Sequence, residues 1–211
     1  MLTQSQRFSL ILSFALLIPS SLHASSVYTV DINTSTLTGT QGYLDLQLEP
    51  GPSPSNLATA AVTNFITDGT ILGAAALTGD ASGQLPGSLS FDNATVFNDY
   101  FQNLTFGTDI NFQVTLNGPT PIGGAASAFN IALYASDGAT PLLTVSPDGI
   151  IGQLVLNPDG SVTPTTFDSG PSTGPAVTLA TASSSTPEPT TFGLLGIALA
   201  AVSTIRSRRR P

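Results

Sequence analysis

The chain has 211 residues, 41% of them hydrophobic and only 9% charged, with 13 acidic residues against 5 basic ones. The five cations are all arginines and stand at the two ends, Arg7, Arg206, Arg208, Arg209 and Arg210, and residues 25–186 contain no Lys, Arg, His, Cys, Trp or Met. Such a body cannot neutralise phosphates, which excludes nucleic-acid binding, and it lacks the side chains of zinc or copper sites and of Ser-His, Cys-His or lysine nucleophiles.

The chain opens on an address. Arg7 supplies a positive start and residues 8–18 (FSLILSFALLI) an apolar run. Pro19 breaks the helix, and residues 20–24 (SSLHA) end on a small side chain, although Leu22 is larger than the preferred alanine. This pattern predicts a secretory signal peptide over residues 1–24, cut after Ala24. The apolar run is too short to span a bilayer comfortably.

From there a period of two dominates. In 27–33 Tyr28, Val30 and Ile32 share one face; in 43–49 Leu44, Leu46 and Leu48 point inward and Asp45, Gln47 and Glu49 outward. Further strands are predicted at 58–67, 88–91 and 102–106. The cleanest run, 109–116, sets Ile110, Phe112, Val114 and Leu116 against Asp109, Asn111, Gln113 and Thr115. Strands at 129–135, 150–156, 162–167 and 176–180 complete the series. Two short helical turns are expected, at 34–38 behind Asn33 and at 96–100. The connections carry turn chemistry such as Asp137-Gly138, Asp148-Gly149 and Asp159-Gly160, where glycine supplies positive φ. Short one-sided strands at this spacing predict an all-β fold, an antiparallel β-sandwich with a jelly-roll-like arrangement, over residues 25–180. An open barrel is the alternative.

Residues 181–189 form a Ser/Thr/Pro linker ending in Pro187-Glu188-Pro189, and residues 192–205 (FGLLGIALAAVSTI) are apolar. A membrane helix is expected at 190–205, short against a hydrocarbon core of about 30 Å. Arg206, Arg208, Arg209 and Arg210 make 206–211 a basic cytoplasmic tail and place the acidic body outside. Pro-Glu-Pro, a short apolar helix and a terminal arginine cluster, behind a signal peptide, resemble the bacterial PEP-CTERM sorting domain. The resemblance covers about 25 residues, 186–211, and its specificity lies in the order of the three parts; the final Pro211 departs from the family's basic ending. It implies recognition by an exosortase-type membrane protease, cleavage near Pro187-Glu188-Pro189, a transient inner-membrane anchor and delivery to the cell surface or extracellular matrix. More loosely, residues 43–51, 68–83 and 106–116 resemble the β-rich, uncharacterised ectodomains of other such proteins, which implies no catalytic residue.

Within the body the candidates for chemistry are few. Asp45 and Glu49 share the polar face of one strand, as a glycosidase pair would, but that face reads as wet and no catalytic residue is assigned. Asp92-Asn93, Asp99 and Asp109 are candidates for a Ca²⁺ site, and the surplus of carboxylates makes divalent cations expected partners; no cofactor or metal residue is assigned. Phe97, Tyr100, Phe101 and Phe106 read as core. The expected function is that of a non-catalytic, exported surface or matrix protein associated with extracellular polysaccharide. The alternative is a carbohydrate-binding module, which a concave face bearing Tyr28, Tyr43, Tyr100 or Tyr134 would favour.

Overall fold

The computed structural model describes residues 25–52, 57–118, 124–169 and 174–182. The chain divides into one unit ending at Thr181 and a second from Ala182 to Pro211. The expected signal peptide at 1–24, the expected membrane helix at 190–205 and the basic tail at 206–211 lie outside the described residues, among which no helix is long and apolar enough to cross a membrane.

Thirteen strands run in chain order among the described residues: β1 (Ser26–Asn33), β2 (Gln41–Glu49), β3 (Thr59–Thr67), β4 (Thr70–Ile71), β5 (Ala76–Thr78), β6 (Ala81–Gly83), β7 (Leu89–Asp92), β8 (Asp99–Thr105), β9 (Asp109–Asn117), β10 (Ser127–Ala135), β11 (Ile150–Leu156), β12 (Val162–Thr166) and β13 (Val177–Thr181). They make two antiparallel sheets. The first has the order β13-β1-β9-β3-β7-β6; the second runs β12-β11-β10-β2-β8-β4, with β5 also paired to β8. The long strands β1, β2 and β3 alternate between the sheets, as do β8, β9 and β10. Each therefore needs one apolar face, and the period-two sequence supplies it.

The two apolar faces meet in one core. Val30 and Ile32 of β1 and Phe112 and Val114 of β9 join Leu44 and Leu46 of β2 and Phe129 and Ile131 of β10 in a single buried cluster. Phe91 of β7 and Phe129 of β10 touch edge to face across the sandwich, ring centroids 5.7 Å apart. Each such side chain contributes about 1.5–3 kcal/mol by leaving water. The all-β sandwich expected from the alternation is the fold observed.

Two local expectations need adjusting. The turn after Asn33 is a 3-10 segment, Ser35–Leu37, and Asn33 Oδ1 accepts the Ser35 N–H at 3.1 Å. No helical turn forms at 96–100. Asn98 is fully buried and donates from Nδ2 to the Leu48 and Thr95 carbonyls, both at 2.9 Å. Its own carbonyl accepts the Leu48 N–H. These bonds dock the chain onto β2, so β8 begins at Asp99 where a helix would have turned away.

Candidate functional site: a polar groove on the second sheet

Leu44, Leu46 and Leu48 turn into the core, so the alternation of β2 sends Tyr43, Asp45, Gln47 and Glu49 to the outer face. The neighbours complete that face by register. On β10, Tyr134 stands opposite Tyr43, Ala132 opposite Asp45 and Asn130 opposite Gln47. On β8, Phe101 stands opposite Asp45 and Asp99 opposite Gln47. Beyond β10, Gln153 of β11 pairs with Asn130.

The β10–β11 pairing slips between Ile131 and Ala132, so that Ile150 comes opposite Ala132. The slip brings Ile150 and Asp148 to the rim of a groove of about 410 Å³ whose walls include Asp45, Gln47, Glu49, Asn130, Tyr134 and Gln153. Gly149 in the same turn has φ +81°, and a Cβ there would stand 2.9 Å from the Tyr134 hydroxyl. Only glycine lets the turn approach that ring. Outside the groove the ring of Tyr43 stacks on that of Phe101 with centroids 4.4 Å apart, and Tyr134 leans towards Phe101 at 6.1 Å. Gly138, φ +68°, backs this stack, with the Tyr43 and Phe101 rings 3.6 and 3.7 Å from where its Cβ would be.

Asp45, which lines the groove, forms a carboxyl pair with Asp99 of the neighbouring strand β8. Asp45 is only 4% exposed. Gln47 Nε2 donates to its Oδ2 at 2.8 Å, while no protein group donates to Asp45 Oδ1 or Asp99 Oδ1. Burial pushes the Asp45 carboxyl up to about 9, helped by its contact with Asp99 and by the Asp99 charge and opposed by the Gln47 amide. Burial raises Asp99 as well. A buried carboxyl and a half-buried one in contact, in a body without a cation, hold one proton between them. Burial, then the charges of Asp45 and Asp99, raise the Tyr134 phenol.

The expectation of a wet face for Asp45 and Glu49 is thus corrected. Glu49, near the end of the strand, stays partly exposed, whereas Asp45 lies in the centre of the sheet between β10 and β8. The four tyrosines divide by strand parity. Tyr28 and Tyr100 are core; Tyr43 and Tyr134 lie on the outer face. Of the aromatic run read as core, Tyr100 and Phe106 are buried, Phe97 is 42% exposed, and Phe101 joins the outer stack.

The aspartates considered for Ca²⁺ are not brought together. Asp92 Oδ1 accepts the Ala94 N–H at 2.9 Å and Asp109 Oδ2 the Asn111 amide at 2.5 Å, both in the first sheet, while Asp99 belongs to the second. Asn93 accepts the Ala58 N–H and donates to Ser127, a structural bridge. No cluster of three or more metal-capable side chains occurs among the described residues. Several turn aspartates serve their own backbone. Asp137 accepts from Thr140 Oγ1, Thr140 N and Ala139 N, bonds that hold it at about 2. Asp68 accepts from Thr108 and Asp109 across 40 residues and is likewise lowered.

Sequence reasoning missed Asn130, Gln153 and the partnership of Asp45 with Asp99. Asn130 carried a signal: a lone amide inside the apolar run SAFNIALYA. The sorting residues Pro187, Glu188, Pro189, Arg206, Arg208, Arg209 and Arg210 lie outside the described residues. No curated protein and no solved structure matches the chain. A family model does match its end: residues 185–210 fit the PEP-CTERM protein-sorting motif. The chain therefore carries the PEP-CTERM sorting motif behind a β-rich body, the signature of an exported protein handled by exosortase at the membrane.

Proposed function

We propose that this is a non-catalytic protein of the bacterial cell surface or extracellular matrix, delivered by its C-terminal tail and retained among extracellular polysaccharide. The sorting motif at 185–210 carries the reading. A body with 12 acidic residues and no Lys or Arg over residues 25–186 keeps such a protein soluble and dispersed. A non-catalytic role is supported by the carboxyl spacing. Asp45 and Asp99 are in contact, which leaves no room between them for a glycosidic bond. Glycoside hydrolysis uses separations of roughly 5–9.5 Å.

The test follows the epitope-tagged full chain through cell fractions in a host with and without its exosortase. The expected result is surface or matrix protein in the first and membrane-retained protein in the second. The same distribution in both hosts would refute the reading. The polar groove favours a second reading, a carbohydrate-binding module in the same jelly-roll-like body, because its amides, carboxyls and tyrosine offer hydrogen-bond partners to sugar hydroxyls.

A further inference from the structure

The groove on the second sheet has an inventory of hydrogen-bonding groups that restricts what can enter it. Gln153 Nε2 donates to Asn130 Oδ1 at 2.9 Å, which leaves the Asn130 nitrogen and the Gln153 oxygen for a ligand. Gln47 uses its nitrogen on Asp45, so its oxygen is left as well. Glu49 and Asp148 add carboxylate acceptors at the rim, and the Tyr134 hydroxyl both donates and accepts. Acceptors outnumber donors. The floor holds an Asp45 oxygen that no protein group serves, on a side chain more than nine-tenths buried. Asn130, 3% exposed, is likewise a polar group fixed in place on the wall.

We propose that this groove binds a neutral, hydroxyl-rich saccharide and discriminates against acidic ones. The proposal deepens the carbohydrate-binding reading and rests on it. Sugar hydroxyls each donate and accept, so adjacent hydroxyls can give hydrogens to the Gln47 and Gln153 oxygens while one accepts from the Asn130 amide. Tyr134 supplies a ring edge and a hydroxyl on the wall. A uronate or sulfated unit would bring its charge beside Glu49, Asp148 and the Asp45–Asp99 pair. No Lys or Arg occurs in residues 25–186 to receive it, and a charge buried without a partner is costly. The selectivity therefore comes from what the site rejects as much as from what it holds.

The test uses the full chain in mild detergent, run in native gels containing dextran, mannan, soluble cellulose oligosaccharide or polygalacturonate. The expected result is saturable retardation by at least one neutral glycan and none by polygalacturonate. Gln153→Ala, at a partly exposed position, should weaken the retained glycan at least tenfold, as should Asn130→Ala if it folds by its melting curve. Asp159→Asn, in a turn outside the groove, should leave binding unchanged. Retardation by polygalacturonate equal to that by the neutral glycans, or neutral binding indifferent to Gln153→Ala, would overturn this inference while leaving a carbohydrate-binding module. Failure of every glycan to retard a folded chain would overturn the module reading together with it.

Discussion

Replacing Asp45 by asparagine isolates the proton at the floor of the groove. In the folded protein burial and Asp99 hold the Asp45 carboxyl at about 9, against 3.8 for the free side chain. The raised value fixes the sign. The native state keeps its proton between those limits and the unfolded state gives it up, so the contribution is fully present below 3.8 and is lost as pH rises towards 9. At about 1.4 kcal/mol per pH unit, the loss between pH 5 and pH 8 is about 4 kcal/mol. For a domain of this size that corresponds to roughly 10 °C in Tm. Asp99, raised by burial as well, pushes in the same direction. The substituted side chain would carry no charge at any pH, and its amide would donate to Asp99 where the shared proton does. Thermal melts of the full chain at pH 5, 6, 7 and 8 should show the wild type losing stability steadily and Asp45→Asn, in which burial still raises Asp99, losing distinctly less, the variant being the more stable at pH 8. A wild type with no slope between pH 5 and 8, or a variant with the same slope, would refute the shared proton.

On the acid side the sign reverses. Asp68, Asp137 and Asp159 are all lowered by hydrogen bonds from neighbouring hydroxyls and backbone N–H groups, so their support is present above 3.8 and fades as pH falls below it, for Asp137 down to about 2; acid melts from pH 5 downward should show it. Gly149→Ala combines a left-handed backbone with a Cβ 2.9 Å from the Tyr134 hydroxyl and should cost about 1–3 kcal/mol by denaturant titration. Phe129→Ala removes the ring that meets Phe91 across the sandwich and should cost about 3–5 kcal/mol in the same titration. Asn98→Ala strips four side-chain bonds, two given to the Leu48 and Thr95 carbonyls and two accepted from the Asp80 N–H and the Thr95 hydroxyl, and leaves the buried Leu48 carbonyl without its side-chain donor, for a loss of about 1–3 kcal/mol.

The long strands were legible because each shows its own two faces. The run 109–116 fixes strand and orientation together, and β9 buries Ile110, Phe112, Val114 and Leu116. The short strands β4, β5 and β6 were not, since two or three residues carry no period. Thr70–Ile71 and Ala76–Thr78 are strands only because the edge of β8 offers them bonds. The site was half legible for a related reason. Alternation places Asp45 on the polar side of β2, but nothing local says that a strand beginning about fifty residues later will bring Asp99 into contact with it. Burial of a polar face depends on the neighbours across the sheet, and with them goes the protonation of the pair. The tail was legible in full as a motif, because order and spacing along the chain are the whole of its signal.

The most direct test of the central claim is the intact mass of the exported protein, recovered from a host with its exosortase and from one without. The account predicts a product that ends near Pro187-Glu188-Pro189 in the first and one that still carries residues 190–211 in the second. A product intact to Pro211 in both would contradict it.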